Sequence, residues 1–197
     1  MPRSGTSLVL LLFLTAAAAA QTTGTPQDHE ALRKLKADIT EAVNNRDYPK
    51  AEGLIHQPFM ATLVTQDSFT AFDKVKAYFE NLYTRDFLRM KNVSISAEAD
   101  DYSQIYVGTF AVSKGSTKEH YELADGRVFD MDGRWTAASM KENGQWKLLA
   151  VHMGTNFLDN PVLSAVESSI KWLAAGAAAI GLAVGVLAGW LVKRALG

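Results

Sequence analysis

Apolar residues fall into three successive rhythms, one helical, one strand-like and one unbroken. Leu32, Leu35, Ile39, Ala42 and Val43 recur every three to four residues with charges between them, which predicts a half-buried helix. Thr25-Pro26-Gln27-Asp28 supplies its start, with an N-cap hydroxyl, Pro at N1 and a carboxylate at N3. Asp47 predicts the cap of a second, shorter helix reaching about His56, and residues 60–65 read as a strand. Phe72, Val75, Phe79 and Leu82 form the stripe of a third helix, with Thr70 and Asp73 at capping spacing. After Thr84 the period shortens to two. Val93, Ile95, Ala97 and Ala99 alternate with polar residues, and residues 105–113 predict one continuous strand. Asp125-Gly126, Asp132-Gly133 and Asn143-Gly144 then read as hairpin turns. Helices followed by an antiparallel meander predict an α+β domain, with helices on one face of a curved sheet.

The Asn143-Gly144 turn sets a register. A two-residue loop pairs Glu142 with Gln145, and counting back places Trp135 opposite His152 and Thr136 opposite Val151. Both faces of this hairpin then carry apolar side chains, so both are expected to be covered. Helices cover one, and a second copy of the chain is the simplest cover for the other.

The unbroken run lies near the C-terminus. Residues 172–192 carry no charge, and Lys193 and Arg194 follow. At 1.5 Å per residue the run is about 31 Å long, enough for a hydrocarbon core of about 30 Å. Basic residues collect on the cytoplasmic side, so residues 193–197 are expected inside the cell and the rest outside. At the other end, Arg3, the apolar run 8–20 and Ala18-Ala19-Ala20 form a secretory signal pattern, residues 1–20. Between them lie a domain over 27–158 and a helical stalk over 160–170. The span itself is residues 171–192. The expected location is the cell (inner) membrane, single-pass, with the domain periplasmic in a Gram-negative host.

Charge and composition narrow the chemistry. Four of the 20 Lys and Arg residues (Arg3, Lys171, Lys193, Arg194) lie in the terminal segments, while all 21 acidic residues fall within 28–167, so the domain carries a net charge of −5. That balance excludes nucleic acid as an electrostatic partner. The chain has no cysteine, which excludes disulfides and thiolate chemistry. His29, His56, His120 and His152 are scattered without metal-ligand spacing, so no metal and no cofactor is expected.

Phe69-Thr70-Ala71-Phe72-Asp73 leading into Ala77-Tyr78-Phe79, then Gly133-Arg134-Trp135-Thr136-Ala137, then Asn143-Gly144-Gln145-Trp146-Lys147-Leu148 ending at His152, together resemble the nuclear transport factor 2-like superfamily, SnoaL-like branch. The resemblance covers residues 29–157. It implies a cone of three helices wrapped by a bent antiparallel sheet, often dimeric through the sheet's outer face. Isomerases, cyclases, dehydratases and non-catalytic binding modules share that cone, so the fold alone does not assign a function. The resemblance implies chemistry inside the cone, where the candidates are His152, Trp135, Tyr106 and Asp130. A second two-residue turn at Asp132-Gly133 would set Asp130 in the same cross-strand row as His152, but two strand spacings of about 4.8 Å separate them. No catalytic motif of the superfamily maps onto the chain residue by residue.

The expected function is a membrane-anchored, non-catalytic binding or assembly module. The alternatives are an isomerase-, cyclase- or dehydratase-type enzyme on a small apolar ligand, and an accessory subunit of a larger membrane complex. Within the span, Ala177, Gly181, Gly185 and Gly189 lie four apart on one helix face, where small residues let a second helix approach closely. The expected partners are the lipid bilayer, a second copy through both the sheet face and this helix face, or another membrane protein. Cross-linking in membranes is expected to trap dimers that weaken when Gly185→Leu is introduced; undiminished dimers would remove the helix face from the assembly.

Overall fold

The computed structural model describes residues 24–196; the signal pattern over 1–20 lies outside the described residues. Helix α1 (Pro26–Asn44) begins at the expected capping box, with the Asp28 amide donating to Thr25 Oγ1 at 3.1 Å. Helix α2 (Tyr48–Gly53) is capped by Asp47 as expected. It stops short of His56 because strand β1 (Ile55–Thr62) has already begun. Strand β2 (Ser68–Phe69) precedes helix α3 (Phe72–Thr84), whose N-cap is Ala71 with no side-chain bond, so the Thr70 cap does not form.

The remaining strands are β3 (Met90–Ala99), β4 (Gln104–Tyr106), β5 (Phe110–Leu123), β6 (Val128–Glu142) and β7 (Gln145–Thr155). They form one sheet in the order β2-β1-β7-β6-β5-β3, with β4 on β5. All neighbours are antiparallel except β1 and β7. Two further expectations are corrected, one of a strand and one of a turn. Residues 105–113 are not one strand: Val107 and Gly108 take positive φ and reverse the chain, pairing Tyr106 with Phe110. Asp132-Gly133 is not a turn but lies inside β6, opposite Thr117 and Lys118. A Cβ at Gly133 would collide with Thr117 Oγ1, so this glycine serves a close approach between strands.

The Asn143-Gly144 hairpin has the expected two-residue loop, with φ of 50° and 81°. Pairing follows the predicted register from Glu142↔Gln145 back to Ser139↔Leu148 and then slips, because Ala138 pairs with Ala150. Leu149 is the extra residue of a β-bulge. One unpaired residue inverts the side-chain parity of the rest of β7. Trp135 therefore faces Met153, and His152 pairs with Thr136. Val151 and Met153 pack against the core, and His152 is exposed on the other face. That outer face is consequently mixed, with Lys147, Thr136 and His152 beside Met140, Ala138 and Ala150.

The core lies between the helices and the inner sheet face, where Phe59, Leu63, Phe72, Val75 and Leu148 are buried together. A neighbouring group joins Leu32 and Leu35 of α1 to Ile105 and Trp146. One polar cluster pins α1 to the hairpin. Asp28 Oδ1 accepts from Lys141 Nζ at 2.5 Å and from Trp146 Nε1 at 2.9 Å, and Lys141 and Trp146 are cross-strand partners. Helix α4 (Pro161–Leu196) leaves the other end of the sheet, after Asn160 Oδ1 accepts from the Leu163 amide at 3.0 Å. Its 36 residues include no buried one, and among the described residues it is the one helix long and apolar enough to cross a membrane.

The Lys141 bond first, and the Trp146 bond second, hold Asp28 below the ordinary carboxylate range. A depressed carboxylate stabilises the fold fully above its unfolded pKa of about 3.9, and this contribution is lost as pH falls towards the folded value. Asp28→Ala is expected to cost about 2–3 kcal/mol near neutral pH, because it strands a buried indole donor and a half-buried ammonium. In denaturant unfolding of the full chain, the gap between wild type and Asp28→Asn should close as pH drops below about 4. A gap that widens there would contradict the assignment.

Candidate functional site

Strand parity decides what the cone interior contains. The inner face of β5 presents Ala111, Ser113, Gly115, Thr117, Glu119, Tyr121 and Leu123 in alternation with outward Lys114, Lys118 and His120. Trp135 on β6 lies against Gly115, where an added Cβ would meet the indole at 2.6–2.7 Å, and its Nε1 donates to the Ser116 carbonyl at 3.1 Å. The indole is thus held against β5 at a position with no side chain to displace it.

Two cavities lie under this face. The smaller, about 180 Å³, is lined by Leu35, Ile39, Phe79, Trp135, Val151 and Thr117 among others. The larger, about 690 Å³, runs between α3, the β5–β6 end and the first turns of α4, with Tyr78, Tyr121, Met131 and Met153 in its wall. Leu63, Phe79, Ile95 and Met153 line both. Among the described residues, neither wall contains a histidine, aspartate or glutamate. Its cations are Lys36, which donates to the Ala97 carbonyl, and Arg85 and Arg127. Arg127 is engaged by Asp125 at 2.7 and 3.0 Å. Arg85 donates Nε to the Leu88 carbonyl at 3.0 Å and forms no carboxylate ion pair among the described residues.

Among the described residues, the one carboxylate buried within the sheet's inner face is Glu119, only 2% exposed. Its Oε1 accepts from Thr117 at 2.8 Å and its Oε2 accepts from the Tyr121 hydroxyl. Thr117 faces the smaller cavity and Tyr121 the larger, so the carboxylate is closed off from both by its own hydrogen-bond donors. Burial first, and the Glu119 charge second, push the Tyr121 hydroxyl far above its ordinary value. It stays protonated and donates to Glu119. Burial also raises Tyr78, whose hydroxyl shares a 2.8 Å bond with Thr65.

Of the residues singled out from sequence, Trp135 lines a cavity and the other three do not. His152 is exposed on the outer face, opposite Thr136 and Thr62, because the Leu149 bulge reverses its side. Asp130 is also outside, its Oδ1 2.6 Å from His120 Nδ1, because β6 runs straight through Asp132-Gly133. Tyr106 is 49% exposed on the short β4 and donates to Gln104 at 2.9 Å. Gly181, Gly185 and Gly189 are exposed on α4, and a Cβ at any of them would meet nothing within 4 Å. No group of three or more potential metal-ligating side chains occurs among the described residues. Glu119 was missed because β5 alternates polar residues with polar residues there, so nothing in the pattern marks one face as inner. Its shared parity with Ala111 and Leu123 was the available signal.

No family model and no curated protein sequence matches the chain. Solved structures do resemble it in fold. A hexachlorocyclohexane dehydrochlorinase of type 2 is similar with a TM-score of 0.58 at 10% identity, over 66% of this chain and 86% of the other. A ketosteroid isomerase-like protein from Erwinia carotovora atroseptica gives 0.56 at 12%, over 66% and 98%. A nuclear transport factor 2-like protein of unknown function from Pseudomonas putida gives 0.52 at 18%, over 68% and 89%. The domain therefore has the nuclear transport factor 2-like cone fold, followed by a long apolar helix.

Proposed function

We propose that this chain is a membrane-anchored binding module whose cone holds an apolar small molecule without transforming it. The observation that carries this reading is the cavity wall, which among the described residues offers hydrocarbon, aromatic rings, hydroxyls and three cations but no histidine or carboxylate to act as a general base. The enzymatic alternative draws on the fold shared with a dehydrochlorinase and an isomerase-like protein, and it would need Glu119 to reach a substrate past Thr117 and Tyr121.

In this reading α4 spans the inner membrane, with Lys193 and Arg194 at the cytoplasmic side and the cone outside. A second copy is the proposed partner. The glycine face of α4 supports it, as does the outer-face row Met60, Ala150, Ala138 and Val112, which joins four strands.

Intact-mass measurement on the full chain released gently from detergent should find a discrete small-molecule adduct in wild type and in Glu119→Gln. The adduct should vanish in Met153→Trp, which fills the space shared by both cavities, while far-UV circular dichroism stays unchanged. An empty wild-type chain would contradict binding, and loss of the adduct in Glu119→Gln would favour the enzyme.

A further inference from the structure

The larger cavity is completed by α4. Val162, Ala165, Val166, Ser169 and Ile170 lie at i, i+3, i+4, i+7 and i+8, a single helix stripe, and all five line it. Yet Val162, Val166 and Ile170 remain 46%, 51% and 60% exposed, so the stripe covers the cavity without packing into it. Phe87, in the turn after α3, lines the same cavity and is 77% exposed. Apolar side chains on both sides of an opening, with little packed between them, describe a mouth that accepts an apolar chain.

Two features bear on what enters. Ile170 precedes Trp172 by about 3 Å along the helix, and Trp172 is where the uncharged span begins. The mouth therefore sits directly above the hydrocarbon of the outer leaflet if α4 spans the membrane. Among the described residues, the wall of this cavity also carries two cations and no anion, and only Arg127 of the two is neutralised by a carboxylate. Arg85 keeps guanidinium donors for a ligand, while the apolar lining suits a hydrocarbon tail.

We infer that the stalk portion of α4 is the lid of this cavity, and that the occupant is a single-chain anionic amphiphile drawn from the adjoining leaflet, its head group on Arg85 and its tail between Tyr121, Met131 and Met153. The inference rests on the binding reading above and names its ligand class and its route. No covalent step is involved. The ligand exchanges when the first turns of α4 swing from the β6 end, which α4 touches without burying a residue.

The test uses the full chain in phosphatidylcholine vesicles containing a trace of palmitic acid with a mid-chain diazirine. After illumination, adducts are mapped by peptide mass. Labelling is expected at Tyr121, Met131 or Met153. Arg85→Gln should lower it about tenfold, the loss expected for a charge-assisted hydrogen bond, while Arg127→Gln changes it little. The methyl ester of the same probe should label wild type as weakly as the acid labels Arg85→Gln. Ala165→Trp, which fills the mouth from the lid side, should also abolish cavity labelling with the thermal unfolding midpoint retained. Adducts confined to residues 172–192, or cavity labelling indifferent to Arg85→Gln and Ala165→Trp, would overturn the inference. If the intact chain still carries its small-molecule adduct in that case, only the amphiphile and the lid fail. If the adduct is also missing, the binding reading fails with them.

Discussion

A single unpaired residue, Leu149, sets the phase of the wall on which the rest of the interior is built. Because successive side chains of a strand point to opposite faces, one extra residue exchanges the inner and outer sets beyond it. Val151 and Met153 turn into the cone and His152 turns out. Without the bulge, an imidazole would stand beside Trp135 in the cavity. With it, Val151 and Met153 stand there instead. The chemical character of the interior therefore follows from backbone pairing rather than from the residues the segment contains. A second backbone device cooperates, since Gly115 and Gly133 let Trp135 and Thr117 approach where any Cβ would intrude.

The two ends of the cone are built differently. At the hairpin end, Asp28, Lys141 and Trp146 form a satisfied polar cluster that fixes α1 against β6 and β7. Opposite lies the larger cavity, bordered by the first turns of α4, with exposed apolar side chains around its mouth. A hydrogen-bonded end and an opening bordered by exposed side chains suit the ligand exchange proposed above. The helix that borders this opening is also, among the described residues, the one long and apolar enough to cross a membrane, so in the proposed reading anchoring and gating are properties of one element.

Much of this architecture is readable from local signals. The capping box at Thr25, the Asp47 cap and the Asn143-Gly144 turn are each written in a few adjacent residues with strong conformational preferences, and each forms. The misreadings arise where a local signal serves a distant purpose or is missing. Asp132-Gly133 has the composition of a turn, but its glycine is needed for contact with Thr117 one strand away. The reversal at Val107-Gly108 places a β-branched residue at positive φ, which no propensity would choose. Leu148-Leu149-Ala150-Val151 is apolar at every position, so it carries no alternation from which a bulge could be located. That blind spot also hides the fate of His152. Glu119 is obscure for the converse reason, since it lies in a polar stretch whose inner face becomes apparent only once β5 is paired on both sides.

Solvent access of His152 in the full chain, dissociated to monomer in detergent so that no second copy covers the outer sheet face, is the most direct test of this phase. Carbethoxylation followed by peptide mapping reads each of the four histidines separately. With Leu149 bulged, His152 reacts in the folded protein at a rate close to that of an exposed imidazole, while His29, buried against Tyr102, is modified only on unfolding. If His152 is instead protected until the domain unfolds, β7 pairs in phase, an imidazole stands inside the cone, and the non-catalytic reading of its interior is wrong.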